Sequence, residues 1–284
     1  MACLCPNWHR FFAADGIISL NSPDLVNTRV NNEHGLFYWT EGIVPIDVWW
    51  YVGMALSVMF LIGWKTRLAT LALYVFVESL LRRNPYIANG EELVLRMCLF
   101  YMIFSRPGAV WSIDAMNAAR RGLSPVKFIP SWAIRMLQMN IAMIYIISLP
   151  WKLATDPCWV TGDAIHWTVA SDMWGPSQHP WITLSCGGLL RKIMTFGTVL
   201  VEAFFPLAVW FKPTRRTAIL LITSLHLGIA IMIPNVTFFT LSMVCNFAAF
   251  LTGEDIDAMV RLTRLTRSLP HHEASSQRTA VPAR

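Results

Sequence analysis

The sequence predicts an all-α protein: a multi-pass transmembrane helix bundle of about seven spans with one long extracytoplasmic loop. Apolar stretches alternate with short polar loops, and tryptophans mark many of their ends, where an amphipathic ring suits the headgroup level. The composition is 55% hydrophobic and 14% charged, whereas a soluble chain carries roughly 25% charged residues. We therefore expect an integral membrane protein, in the plasma membrane if the source is prokaryotic.

The apolar stretches set the predicted helices. The stretch from Trp132 to Trp151 spans about 28 Å at about 1.5 Å per residue, close to the thickness of a hydrocarbon core. The second and third predicted helices are shorter than the roughly 20 residues that a spanning helix usually needs. The predicted helices cover residues 46–64, 67–81, 92–104, 131–150, 190–211, 215–233 and 237–251.

The distribution of Lys and Arg predicts the orientation. These residues cluster in the first, third and fifth connections, which we assign to the cytoplasm. Residues 151–189 carry three aspartates and a single cation, so we assign this long loop to the outside. An odd number of spans makes residues 1–45 an extracytoplasmic segment, which suggests a further helix before it. The bundle covers residues 46–251, and residues 252–284 form a cytoplasmic amphipathic helix and a disordered tail. The exceptions to the charge trend are Arg82, Arg83, Arg191 and Lys192.

The net charge predicts no nucleic-acid partner, and the cysteines leave the pairing of one pair open. A net charge of +6 reflects cytoplasmic loop charge in such a protein, so we expect the lipid bilayer as partner and no nucleic acid. The spacing of Cys3 and Cys5 is too short to predict a metal site. Cys158 and Cys186 lie in the same outer loop and either pair in an oxidising compartment or remain two thiols.

Two ionisable residues are predicted deep inside the spans. Glu202 and His226 lie near the middle of consecutive predicted helices. Charged groups in a membrane are costly, so each is a functional hypothesis by default. Antiparallel neighbours at matched depth could share a hydrogen bond, which would offset part of the burial cost. The pair is either a structural link or a site that handles protons or binds a ligand.

Four further polar residues interrupt the apolar stretches. Glu78 and Arg96 lie near the ends of short predicted helices, so we expect them to be paired or to extend toward the interface. Gln138 and Asn140 are uncharged, and we expect them to join helices by hydrogen bonds. All four are therefore assigned structural roles.

Lys152 differs from these residues because of its position. Pro150 is predicted to end the preceding helix, which leaves one ammonium between Trp151 and Trp159 at the outer interface. Partial burial disfavours the charged form of an amine, and this is the usual route from lysine to a general base. The alternative is an interfacial lysine that reaches toward lipid headgroups.

The segment that follows resembles a known membrane family. Lys152 and Leu153, with the WVTGDA string at residues 159–164, resemble the K-L…W-x-x-G-x-A segment of the HTTM family, which is related to vitamin K-dependent gamma-glutamyl carboxylase. The likeness continues in sequence order at FFAADG (residues 11–16), GWKTR (63–67), RRNP (82–85), WSID (111–114) and HLGI (226–229).

The resemblance implies a chemistry for Lys152. In the carboxylase the matching lysine deprotonates reduced vitamin K, and oxygen addition then yields a strong base that removes a proton from a substrate glutamate. By this resemblance Lys152 is a candidate base, with a membrane quinone or reduced vitamin K as cofactor. His226 and Glu202 would shape a polar cavity, and Trp159 and Gly162 are cofactor-binding candidates.

The resemblance has its departures, and a second class of function fits the same loop. Ala109 stands where the carboxylase has a histidine, and no segment matches its large lumenal domain, so full protein carboxylation is not expected. The alternative is a non-enzymatic membrane partner in the maturation or export of a small secreted peptide, as in sporulation-delaying protein B-like members, which the chain also resembles. The loop tryptophans are then a docking surface or interfacial anchors: Trp159, Trp167, Trp174 and Trp181.

Overall fold

The structure is a computed structural model, and it is entirely helical in the part of the chain that it describes. The described residues are 8–12, 35–40, 42–84, 90–124, 131–171, 188–233 and 236–267. The chain divides into two compact units, residues 1–249 and 250–284. The predicted all-α class is confirmed.

The helices of the first unit alternate long and short segments. They are α1 (Trp8–Phe12), α2 (Leu36–Trp39), α3 (Ile46–Ile62), α4 (Thr66–Arg83), α5 (Gly90–Phe104), α6 (Ile113–Arg120), α7 (Trp132–Thr155), α8 (Pro157–Thr161), α9 (Ala164–Ala170), α10 (Gly188–Ala208), α11 (Lys212–Met232) and α12 (Thr237–Phe247). A 3₁₀ turn, Ala248–Phe250, follows α12. Every apolar stretch predicted as a helix is one.

One predicted boundary is wrong in a way that matters for the site. The helix α7 does not end at Pro150 but continues through it to Thr155. A proline removes one backbone donor, yet the residues beyond it still bond, as when the backbone N–H of Asp156 donates to Lys152 at 3.1 Å. Lys152 therefore lies in the last turn of α7 and not after the helix.

Two of the described helices are long and apolar enough to cross a membrane by length and composition, namely α7 and α11. Two shorter apolar helices, Ile46–Ile62 and Thr237–Phe250, accompany them. Many side chains of the long helices face outward. In α11, only 17% of the most apolar window is buried within the protein. An apolar helix with so much of its surface exposed favours a lipid environment over water.

Five helices close into a ring, hereafter the five-helix ring. Each of α5, α7, α10, α11 and α12 packs against the next, and α12 packs back against α5. The side chains enclosed by the ring include Ile141, Phe205, Ile222 and Met243, all of them fully buried. Helices α3 and α4 lie against one side, because α4 packs on α5.

Polar side chains join neighbouring helices, as predicted. The Gln138 amide donates to the Ala249 carbonyl at 2.6 Å, and the Asn140 amide donates to the Tyr101 hydroxyl at 2.7 Å. The Arg96 guanidinium on α5 lies 3.2 Å from the Glu78 carboxylate on α4. The predictions for these polar residues are therefore confirmed.

A carboxylate holds the turn between α3 and α4. Asp114 accepts hydrogen bonds from the backbone N–H groups of Lys65 (2.9 Å) and Thr66 (2.7 Å) and from the Thr66 hydroxyl (2.7 Å). Gly63 has a φ of 69°, and a Cβ there would overlap Ser112. The GWKTR string (residues 63–67) and the WSID string (111–114) thus contact each other. Burial by itself raises the pKa of Asp114, but these hydrogen bonds outweigh it and the pKa is lowered.

The second unit contains α13, Gly253–Arg267. Its start is fixed by a capping box, because the Asp255 carboxylate accepts from the Thr252 backbone N–H at 2.9 Å while the Thr252 hydroxyl accepts from the Asp255 N–H at 3.3 Å. The predicted helix after residue 252 is present. The predicted tail over residues 270–284, like Cys186, lies outside the described residues.

Candidate functional site

Lys152 forms a two-point ion pair with Glu202. Its Nζ lies 2.7 Å from Glu202 Oε1 and 2.8 Å from Oε2, which joins α7 to α10. The Glu202 side chain is 9% exposed and the Lys152 side chain 29%. A buried carboxylate is costly unless it is paired and hydrogen-bonded, so the ammonium offsets the burial of Glu202.

Trp159 also contacts the same ammonium. The Asp156 side chain caps α8 by accepting from the Cys158 backbone N–H at 2.9 Å, and Pro157 occupies the first turn of that helix. The Trp159 ring on α8 lies over Lys152, with 4.9 Å from Nζ to the ring centroid. The amine therefore contacts both a carboxylate and an aromatic face and does not point freely into bulk water.

Gly162 has a packing reason to be glycine. It ends α8 with a φ of 84°, in the left-handed region that other residues avoid. A Cβ at this position would lie 2.8 Å from Phe196 Cε2 and 3.1 Å from Lys192 Cγ, both on α10. The close approach of α8 to α10 thus requires glycine, and the role of Gly162 in cofactor binding stays a prediction.

Glu202 and His226 do not pair with each other, contrary to the expectation from their depth. His226 Nε2 lies 2.8 Å from the Tyr145 hydroxyl, while Glu202 is paired with Lys152. Tyr145 and Lys152 are seven residues apart on α7, about two helical turns, so they project from the same face. The helix α7 therefore supplies the partner of Glu202 and the partner of His226. In place of the expected direct pair between α10 and α11, each of these two helices is paired with α7.

Aromatic rings surround the Tyr145–His226 pair. Tyr145 packs edge-on against Phe205 at 5.1 Å between centroids, and Phe205 lies 5.3 Å from Phe247. The His226 ring lies 5.5 Å from Phe247 and 5.9 Å from Phe239. His226 is 5% exposed. These contacts place the imidazole in an apolar environment inside the five-helix ring.

Comparison with known proteins identifies the family. The family model of the HTTM domain matches residues 26–254, which include Lys152, Glu202 and His226. The chain belongs to the HTTM family. No curated protein and no solved structure matches it. The family is membrane-associated, and together with the apolar helices α7 and α11 this supports a membrane protein.

The site of this HTTM protein consists of groups that exchange protons. An amine, a carboxylate, a phenol and an imidazole come from three helices of the five-helix ring. Within the described residues, no group of three or more His, Cys, Asp or Glu side chains is arranged to hold a metal ion. An amine, a carboxylate, a phenol and an imidazole can transfer protons and form hydrogen bonds.

Sequence reasoning found Lys152, Glu202 and His226 but missed Tyr145. The signal was available, since Tyr145 lies seven residues before Lys152 in a helix that is otherwise largely apolar. A phenol in such a helix usually finds a hydrogen-bond partner when it is buried. That spacing assigns Tyr145 and Lys152 to one face of α7.

Proposed function

We propose that this HTTM protein is a multi-pass membrane enzyme that removes a proton from a membrane quinol, with Lys152 as the base. The observation that carries the proposal is the two-point ion pair between Lys152 Nζ and Glu202, at 2.7 and 2.8 Å. Lysine is the cation that can serve as a base, because arginine is never deprotonated in proteins. Both residues lie within the HTTM match.

Glu202 has a defined part in such a step. An amine accepts a proton only in its neutral form, so Lys152 gives up its ammonium proton before it takes one from a quinol hydroxyl. That proton leaves to water, which reaches the 29% exposed Lys152 side chain, while the Glu202 carboxylate remains 2.7 Å from Nζ. After Nζ accepts the hydroxyl proton, this carboxylate pairs with the new ammonium. In this proposal the two residues thus act as one proton-exchange unit, in which Lys152 carries the proton and Glu202 the compensating charge.

The surroundings of this unit suit an apolar ring with polar edges. Trp159 offers an aromatic face beside Nζ, and Tyr145 and His226 offer polar atoms within an aromatic environment. Binding sites for such molecules are mostly apolar, with a few placed polar groups. A membrane quinol, such as reduced vitamin K, has this chemistry, and when bound it would supply the acidic hydroxyl.

For the membrane arrangement, we propose seven spans with residues 151–189 outside and the C-terminus in the cytoplasm. The support is the clustering of Lys and Arg in the first, third and fifth connections, against a single Lys in residues 151–189. Reporter fusions test it: an enzyme active only in the cytoplasm, fused after residue 284, should be active. The same reporter inserted at residue 175 should be inactive, and activity at both sites would contradict the arrangement.

Replacement of Lys152 by arginine tests the catalytic proposal. Lys152→Arg keeps the charge and the pairing to Glu202 but supplies no usable base. The full chain in nanodiscs is given reduced menaquinone-4 under oxygen, and quinol consumption is followed by chromatography with mass spectrometry. General bases contribute about 10²–10⁴-fold, so we expect a loss of at least about 100-fold. Wild-type turnover in the variant would remove Lys152 from the chemistry.

A matched control separates catalysis from ion pairing in general. Glu78 also pairs with a cation on a neighbouring helix, so Glu78→Gln removes a comparable carboxylate outside the site. We expect Glu78→Gln to keep the wild-type rate and Glu202→Gln to lose at least about tenfold. Equal losses in the two variants would attribute the effect to folding.

The second candidate function is a docking partner for a small secreted peptide. The observation that favours it is the exposure of Trp151 (69%), Val160 (59%) and Trp167 (60%), all on or near the short helices α8 and α9. Exposed apolar clusters of this kind mark interaction sites, although aromatic rings at a membrane surface also act as anchors. Trp174 and Trp181 lie outside the described residues.

Native mass spectrometry of the detergent-purified protein distinguishes the two functions. A co-purified quinone supports the enzyme, whereas a co-purified peptide supports the docking partner. A photo-crosslinking residue in place of Trp167 gives a second reading. It should capture a peptide if α9 is a docking surface, and lipid if Trp167 is an interfacial anchor.

A further inference from the structure

His226 has a buried ring nitrogen without a partner among the described residues. Its Nε2 is bonded to Tyr145, but Nδ1 is fully enclosed and has no hydrogen-bond partner there. The residue is 5% exposed, so bulk water does not reach it freely. Buried polar atoms are rarely left unsatisfied, so the orphaned Nδ1 calls for a partner atom from a water or from a ligand.

The hydrogen bond to Tyr145 indicates whether Nδ1 of His226 carries a hydrogen. The Tyr145 hydroxyl has one hydrogen, and the acceptor that lies next to it is His226 Nε2 at 2.8 Å. If Tyr145 donates, Nε2 carries no hydrogen and the hydrogen of the neutral imidazole is on Nδ1. If the ring donated instead, the hydroxyl hydrogen would be left unsatisfied beside aromatic rings. The arrangement therefore favours a free Nδ1–H donor.

We propose that the Nδ1–H of His226 binds an oxygen of the quinone ring, and that Tyr145 is the positioning residue that fixes this tautomer. This inference rests on the proposed function and adds a second point of recognition to it. Lys152 addresses a hydroxyl that gives up its proton, whereas His226 addresses an oxygen that accepts a hydrogen bond.

The surroundings decide the class of acceptor. An N–H donor does not bind a metal ion, and a fixed anion would be poorly solvated among Phe205, Phe239 and Phe247. A neutral carbonyl or hydroxyl oxygen on an apolar ring avoids both costs. Edge contacts with aromatic side chains then suit the ring itself.

The spacing along α7 separates the two recognition points. Tyr145 and Lys152 are seven residues apart, which is about 10 Å along the helix axis. Side chains from these positions converge on α10 and α11, where Glu202 and His226 lie. In this proposal Lys152 and His226 therefore address different oxygens of the ligand.

The first experiment measures the tautomer without any ligand. Nitrogen-15 NMR of histidine-labelled full-length protein in nanodiscs should show His226 protonated at Nδ1. Tyr145→Phe removes the donor to Nε2, so the population should move toward the Nε2–H form. Tyr101→Phe is the matched control, because Tyr101 is a phenol on α5 that is bonded to Asn140. Nε2–H in the wild type, or no change in Tyr145→Phe, overturns the positioning role.

The second experiment measures the ligand oxygen. Menaquinone-4 with carbon-13 in its carbonyls is added to the same protein, and the carbonyl stretch is read by infrared difference spectroscopy. We expect one carbonyl to shift to lower frequency in the wild type. His226→Phe should lose that shift and bind menaquinone-4 about fivefold to tenfold more weakly. An unchanged carbonyl band in His226→Phe overturns the proposal, in favour of a water on Nδ1.

Two further variants keep the test decisive. His226→Phe leaves the Tyr145 hydroxyl unsatisfied, so the double variant with Tyr145→Phe serves if the single variant does not fold. Lys152→Arg separates the two proposals: if it keeps quinol consumption while the carbonyl shift still depends on His226, the proposed function fails and the oxygen contact stands. If Lys152→Arg is inactive and the carbonyl shift does not depend on His226, the proposed function stands and the proposed oxygen contact fails.

Discussion

Two carboxylates of this protein pair with cations across helices in different ways. Both oxygens of Glu202 contact the single ammonium of Lys152, and the carboxylate is 9% exposed. Glu78 is shared between two arginines and is 24% exposed. Arg82, on the same helix, lies 3.1 Å (Nη2) and 3.2 Å (Nε) from Oε1, and Arg96 on α5 lies 3.2 Å from Oε2. The two arginines are themselves 36% and 39% exposed.

The two ion pairs differ in whether their cation can lose its proton. A guanidinium cannot be deprotonated in a protein, so the arginines of the Glu78 cluster (Glu78, Arg82 and Arg96) offer no base, and the cluster links α4 to α5. An amine can give up its proton, which is why the proposed function assigns the base to Lys152. Both regions place charged residues inside predicted spans. Of the two, the Lys152–Glu202 pair has a cation that can lose its proton.

The largest expected effect comes from removing the buried cation. Lys152→Met leaves the Glu202 carboxylate uncompensated, so the free energy of unfolding should fall by about 3–5 kcal/mol. The double variant Lys152→Met with Glu202→Leu should recover most of that loss, because neither charge remains. Denaturant unfolding in detergent, followed by tryptophan fluorescence, measures both. Arg96→Met is the control and should lower the free energy of unfolding by less than about 1 kcal/mol. Equal losses in Lys152→Met and Arg96→Met would show that the difference in burial between the two ion pairs does not affect stability.

An intermediate effect is expected at a third carboxylate, which pairs with backbone and not with a cation. Asp114 caps α4 by accepting from Lys65 and Thr66. Asp114→Ala should lower the free energy of unfolding by about 1–2 kcal/mol, as the loss of a helix cap does. The same unfolding measurement checks it. A neutral result would mean that solvent replaces these hydrogen bonds.

The acid dependence of this cap has a definite sign. The hydrogen bonds from Thr66 and Lys65 outweigh burial and lower the pKa of Asp114 below its ordinary value of 3.8. Its contribution to stability is therefore complete above that value and is lost as the pH falls through the lowered pKa. The stability difference between the wild type and Asp114→Asn should be constant near neutral pH and shrink below about pH 3.8. A difference that grows in acid would reverse the assignment.

The smallest effect is expected at the Glu78 cluster. Glu78→Gln should change the free energy of unfolding by less than about 1 kcal/mol, because partly exposed ion pairs contribute little. The difference should shrink further at high salt, since exposed charges are screened. Unfolding at two ionic strengths measures this. A salt-independent loss would indicate that the cluster is more deeply enclosed than its exposure suggests.

The chemistry of the site was partly predictable from local sequence. The motif around Lys152 and the charged residues inside the spans selected Lys152, Glu202 and His226 as candidates. Glu78 and Arg96 were expected to be paired or to extend toward the interface, and the structure pairs them with each other. The partner of His226 was not predictable in the same way. Depth along a helix suggested Glu202, but the side that each helix presents selected Tyr145.

The sequence by itself determined the all-α class and the order of the helices, because the length and hydropathy of a stretch are properties of consecutive residues. Only the tertiary structure decided which carboxylate meets which cation and that α7 runs past Pro150. Those contacts depend on the rotation and approach of packed helices. Rotation of α7 is set by many apolar contacts acting together, and no single stretch of residues encodes it.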